Sequence, residues 1–301
     1  MKPAWSVILF TTLAGAGQGL FLAIYFGSRD TRFACTAAAV SCALLVAGLV
    51  SSFFHLGRPS RGWRAATMWR TSWLSREVIV LPLTMALVAA FGLLVWLERW
   101  DAAMVVGGFG VAACLALFLC TGMIYACLRF LQEWHTPLTP LAFLAFGCAS
   151  GFLLAAALAA ALQPALARIY VAAALVAGAL AYVVRVISLL RNRSLRPKST
   201  LASATGVKGG PIRQISQGAM GGSYNTREFF HGRTATTLRL VRWTFLALVF
   251  PVPAALILAA GLDTAVLAAA VVVQLAGLLA ERWYFFAEAR HPQNLYYQSI
   301  A

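Results

Sequence analysis

Eight predominantly apolar stretches of about 20 residues or more recur along this 301-residue chain, at about 4–27, 33–55, 77–97, 103–127, 138–162, 168–190, 240–260 and 264–286. A hydrocarbon core roughly 30 Å thick is crossed by about 20 helical residues, and only a helix or a closed barrel satisfies its own backbone groups there. The stretches are runs of Leu, Ala and Val without the ten-residue alternation of a membrane barrel. The expected fold is therefore all-α: a polytopic membrane protein, a bundle of eight transmembrane helices that makes one domain of residues 1–301. With 61% hydrophobic and only 11% charged side chains, the chain lacks the polar surface that a soluble globule needs. The first stretch is longer than the apolar region of a secretion signal and ends in no A-x-A site, so it is expected to be helix one.

Eight spans put both termini on one side, together with the second, fourth and sixth connections. Of the 24 Lys and Arg, only Arg29, Arg32, Arg99 and Arg168 fall on the opposite side, which leaves 20 on the side of the termini. By the positive-inside rule that side is cytoplasmic. Part of the excess charge serves retention by anionic lipid. The connection over 191–239, between helices six and seven, is long, basic and rich in Gly, Ser and Thr, and a loop of that kind is normally there to bind something. Because its charge lies along a membrane face, a docked protein subunit is the expected partner and nucleic acid is not. Arg227, Glu228 and His231 in this loop, with His291 in the tail, are the candidate docking residues.

Chemistry is expected where ionisable groups meet the membrane boundary, since such groups are costly in lipid. Helix two ends in Phe53-Phe54-His55-Leu56-Gly57-Arg58-Pro59, a short connection carries Arg61, Trp63, Arg64, Trp69 and Arg70, and helix three opens with Trp73-Leu74-Ser75-Arg76-Glu77. Ser75 reads as the N-cap, which places Glu77 in the first turn, where the helix dipole favours its charge. Capping and an ion pair with Arg76 would account for Glu77 alone, and a backbone hydrogen bond for His55 alone. Antiparallel packing of helices two and three brings both to one depth. An imidazole that can donate or accept a hydrogen bond, beside a carboxylate that can relay a proton, is the outline of a quinone site.

The run His55-Leu56-Gly57-Arg58-Pro59 followed by Ser75-Arg76-Glu77 resembles the anchor subunit of the dimethyl sulfoxide reductase complexes, and the eight-span layout agrees over nearly the whole chain. Gly221-Gly222-Ser223-Tyr224-Asn225-Thr226-Arg227-Glu228-Phe229-Phe230-His231 and the tail from His291 to Gln298 are similar, within that family, to the membrane subunit of the cytoplasmic sulfite-oxidising complexes. The resemblance implies two partners: a catalytic subunit with molybdopterin guanine dinucleotide, and an electron-transfer subunit with iron–sulfur clusters. It also implies that the anchor exchanges electrons between the nearest cluster and ubiquinone or menaquinone. The family's quinone-site residues carry over onto His55 and Glu77. Arg58, Arg64 and Arg76 are added as cations that would stabilise negative charge on the quinone ring, although lipid phosphate or the partner subunit would claim them equally well. Sulfite oxidation feeding quinone suits a basic cytoplasmic face; quinol oxidation by an S- or N-oxide reductase is the alternative.

Other classes fit less well. A haem anchor needs paired histidines within spans, whereas His55, His135, His231 and His291 lie at a helix end, in loops and in the tail, so no haem is expected in this chain. Six cysteines without a C-x-x-C spacing read as packing residues, and no metal site is expected. For a secondary transporter an internal repeat is missing, and Gln18, Gln163 and Gln274 read as interhelical hydrogen-bonding groups. A passive anchor is opposed only by His55 and Glu77. Arg185 is expected to snorkel to the surface. Gly15, Gly17 and Gly19 would let a neighbouring helix approach closely. With no G-x-S-x-G, P-loop or H-E-x-x-H, the chain holds no catalytic residues of its own.

Overall fold

The computed structural model describes the chain apart from Ser28, residues 55–57, Gln214, residues 216–228, Gln293 and residues 295–301. Eight candidate spans are present. They are α1 (Trp5–Tyr25), α2 (Thr31–Phe53), α3 (Trp73–Trp96), α4 (Trp100–Ala126), α5 (Leu138–Leu162), α6 (Pro164–Arg193), the pair α8 (Ala235–Leu248) and α9 (Pro251–Ala260), and α10 (Thr264–Glu288). A 3-10 helix over Pro59–Ala66 links α2 to α3, and the short α7 (Leu201–Thr205) follows α6. Side-chain caps set several of the starts: Asp30 accepts from Phe33 N at 2.7 Å, Asp263 from Ala265 N at 2.9 Å and Thr234 from Thr237 N at 3.2 Å.

The central helix is α1, with 83% of its apolar window buried against 28% for α3 at the rim. Its small residues explain this position. A Cβ on Gly19 would run into the Gly147 carbonyl and one on Gly151 into Gly19, so α1 and α5 cross backbone to backbone. On the other flank Ser41 Oγ of α2 donates to Gly17 O at 2.7 Å. The most extensive pairings are α5 with α6, α1 with α2, α1 with α5, and α3 with α4. Rings fill the gaps between them: Phe21 meets Phe91 edge to face at 5.3 Å.

Two elements differ from the sequence reading. The seventh span, expected to be continuous over 240–260, breaks between α8 and α9. Phe250 leaves helical geometry at φ −146° because Pro251 follows it, and the proline has no N–H to continue the ladder. Gln274 Nε2 of α10 donates to Val249 O at 3.1 Å, so the carbonyl at the break is satisfied in the bundle. This is the interhelical role expected of Gln274. The sixth span runs on to Arg193, and Arg191 at its end donates to Gln132 O at 3.1 Å and to His135 O at 3.3 Å. Those bonds tie α6 to the connection between α4 and α5.

The N-terminus and the C-terminal end of α10 lie at one end of the bundle, where the Met1 ammonium donates to Ala289 O at 2.7 Å. This end is called the terminal end below.

Candidate functional site at the terminal end of helices three and four

Helix α3 begins earlier than its sequence suggested. Ser72, not Ser75, is the N-cap, and its hydroxyl accepts from Ser75 N at 3.3 Å. Trp73 and Leu74 thus enter the helix, and Glu77 moves out of the first turn into the bundle. There it is 6% exposed, and its Oε1 accepts a hydrogen bond from Thr121 Oγ1 of α4. Neither capping nor an ion pair explains this carboxyl group. Among the described residues no cation pairs with Glu77, and Oε2 accepts no hydrogen bond from them. A buried carboxylate with one oxygen held and the other uncommitted can accept from, or exchange a proton with, a ligand hydroxyl.

The arginines of the same region are occupied otherwise. Arg76 donates from Nε to Trp69 O at 3.0 Å and from its terminal nitrogen to Arg70 O at 2.8 Å, and its guanidinium lies 4.2 Å from the Trp73 ring. It closes the turn that leads from the 3-10 helix into α3. Arg64 is exposed over Trp63 at 5.6 Å, and Arg58 is exposed at the start of the 3-10 helix. The three arginines line the connection beside Glu77 without being brought onto its carboxyl group. His55 lies outside the described residues, as do Arg227 and Glu228.

His231 and His291 both belong to a second cluster at the terminal end, near the N-terminus. The His291 ring stacks on Phe229 at 4.0 Å with 10° between the planes and meets Phe130 edge-on at 5.5 Å. Asn294 Nδ2 donates to Phe229 O at 3.1 Å, and His231 Nδ1 accepts from Arg233 N at 3.1 Å. Burial pushes the Met1 amine down to about 6, opposed by the Glu133 carboxylate. Burial, and then the positive charge on Met1, also lower His231 and His291. The end of the long connection, the tail and the N-terminus therefore close over one another.

Sequence reasoning missed a further buried group. Arg185 was expected to snorkel out of α6 but is 2% exposed: its Nε lies 2.8 Å from Glu281 Oε1, and its terminal nitrogen lies 3.5 Å from Glu288 Oε2. Its guanidinium meets the rings of Phe245 and Tyr284, so it turns inward where carboxylates and aromatic faces replace water. Arg282 completes the set, 3.4 Å from Glu281 Oε2 and 3.8 Å from the centre of the Phe143 ring. The Glu281-Arg282 pair inside an apolar run was the available signal.

This arrangement of eight spans, a central glycine-lined helix and a buried carboxylate at the terminal end can be set beside known proteins. The family model described as DMSO reductase anchor subunit (DmsC) matches residues 1–297. A curated relative from Allochromatium vinosum, one of the subunits of its sulfite dehydrogenase, is 51% identical over an alignment of 328 positions that covers all of both chains. A match spanning nearly every element of the bundle, at that identity, means that this multi-pass membrane chain belongs to the DMSO reductase anchor subunit family.

Proposed function

We propose that this chain is the membrane anchor and quinone-reactive subunit of a molybdopterin and iron–sulfur oxidoreductase in the bacterial inner membrane. It passes electrons from a docked iron–sulfur subunit to the quinone pool. Each quinone reduced takes up two electrons and two protons; the electrons come from the partner, and Glu77 exchanges a proton or a hydrogen bond with the quinone oxygen. The single observation that carries this reading is the buried Glu77 carboxyl group, held by Thr121 at the terminal end and ion-paired with no cation among the described residues. His55 is the proposed second partner of the ring. The exposed Arg58 and Arg64 and the half-buried Arg76 offer positive charge where an electron-rich ring and a docked subunit would both be received.

The basic terminal side is the cytoplasmic side in this reading, and the 191–239 connection, with Arg227, Glu228, His231 and His291, forms part of the docking surface. The catalytic molybdopterin subunit then works in the cytoplasm. That placement, and the name carried by the Allochromatium relative, support sulfite oxidation as the source of electrons. A transporter reading gains little from the break in the seventh span, since Gln274 already satisfies the freed carbonyl.

Glu77→Gln in the assembled complex should lower quinone-linked turnover by about 100-fold or more, the worth of a positioned acid–base group. Turnover with an artificial soluble electron carrier should stay near that of the unaltered complex. Equal quinone turnover in the two complexes would remove Glu77 from the site. Quinol oxidation coupled to S-oxide reduction, without sulfite-dependent quinone reduction, would reverse the direction.

A further inference from the structure

Thr121, which holds Glu77, also lines a cavity of about 10 Å³ formed by residues of α1, α4 and α5. Gln18, Thr11 and Thr121 are the polar side chains among its lining residues, beside Phe118 and Phe143. Gln18 is 2% exposed, and its Nε2 donates to Ala14 O of its own helix at 3.0 Å. That bond fixes the orientation of the amide, because the reversed amide would set two carbonyl oxygens against each other. Gln18 Oε1 is thereby directed away from its own helix, and no protein group among the described residues donates to it. A buried amide oxygen without a donor is costly, because it has given up its bond to water for nothing. Its expected interhelical role therefore does not arise through a direct bond.

The hydroxyls of Thr11 and Thr121 can serve only as acceptors as well. Thr11 Oγ1 spends its proton on Val7 O at 2.9 Å and Ile8 O at 3.2 Å, and Thr121 Oγ1 spends its proton on Glu77. Both hydroxyls keep lone pairs. A cavity of this size is at the lower bound for one water molecule, and a water is stable there when two or more polar partners face it. Only a small donor of two hydrogen bonds matches a wall made of acceptors.

We propose that one water molecule resides in this cavity and donates to Gln18 Oε1 and Thr121 Oγ1, so that Gln18 and Thr121 are positioning residues for Glu77. The chain of bonds has one direction. The water donates to the Thr121 hydroxyl, which becomes a better donor to Glu77 Oε1, since linked hydrogen bonds polarise one another. Glu77 Oε1 is held from behind, and Oε2 is left to the quinone. This role rests on the quinone reading of Glu77, but the bonds themselves do not.

The test reads the Glu77 carboxyl group directly. In infrared spectra of the complex, the band removed by Glu77→Gln belongs to Glu77. Thr121→Val should displace that band and Thr121→Ser should restore it. Gln18→Leu should displace it too, although Gln18 makes no hydrogen bond to Glu77, and quinone turnover should fall about 2- to 10-fold, the worth of one hydrogen bond. If the leucine variant fails to assemble, judged by loss of the partner subunits from the membrane fraction, Gln18→Met takes its place. A Glu77 band that moves in Thr121→Val but stays put in both Gln18 variants would overturn the water bridge. Full quinone turnover in Glu77→Gln, with the band still moving in the Gln18 variants, would remove the quinone role and leave the bridge standing.

Discussion

Glu77 and Arg185 show how far a residue's role depends on where its helix begins and what faces it. Both stand out in the sequence as ionisable groups near the ends of apolar runs: Glu77 as a quinone-site candidate in a capped first turn, Arg185 as a side chain that snorkels to the surface. Ser72 starts α3 one turn early and carries Glu77 inward, while Glu281 and Glu288 draw Arg185 into the bundle. Removing one partner from such a set strands a buried charge. Glu281→Ala leaves Arg185 and Arg282 facing each other at depth, and should destabilise the protein by about 3–5 kcal/mol, whereas Glu281→Leu combined with Arg185→Met and Arg282→Met should recover much of the loss. Thermal unfolding in detergent micelles compares them, and a single variant as stable as the parent would mean that the pair contributes nothing.

At the scale of elements, residue type and spacing translate directly into packing. Gly15, Gly17 and Gly19 were read as a close-approach surface, and α1 is in fact the helix that two others press against, α2 at Gly17 and α5 at Gly19. In lipid there is little hydrophobic gain from bringing helices together, so backbone proximity and its van der Waals contacts do that work. Gly19→Ala places a methyl group against the Gly147 carbonyl and should cost about 1–3 kcal/mol, read as a lower unfolding temperature. Serine at position 41 should respond less, because its hydroxyl can be lost without a clash. The break between α8 and α9 was also present in the sequence as Phe250-Pro251, but an apolar run hides it: hydropathy is indifferent to whether a backbone N–H exists.

Over the whole molecule, the N-terminus, the end of the long connection and the tail form one clasp at the terminal end, and it is built from groups whose charge is disfavoured. The Met1 amine ordinarily titrates near 8.0 and is held at about 6, with His231 and His291 also lowered. A base lowered in the closed state binds fewer protons there than in the open state, so closure is firm above about pH 8 and weakens as the pH falls. It has lost that increment once the pH is below about 6. Glu133 opposes the effect without reversing it. Hydrogen exchange at residues 229–233 should therefore quicken, relative to the intrinsic rate, between about pH 8 and pH 6; protection that stays constant or rises on acidification would contradict the clasp. The sequence by itself determined the class, the number of spans, the shared side of the termini and the family, because each is written in the spacing of apolar residues, in the count of charges or in short motifs. Only the tertiary structure decided that Glu77 is held by Thr121, that Arg185 and Arg282 turn inward and that Gln18 faces a cavity. Hydropathy records whether a segment prefers lipid, whereas burial and hydrogen-bond partners depend on which faces of different helices meet.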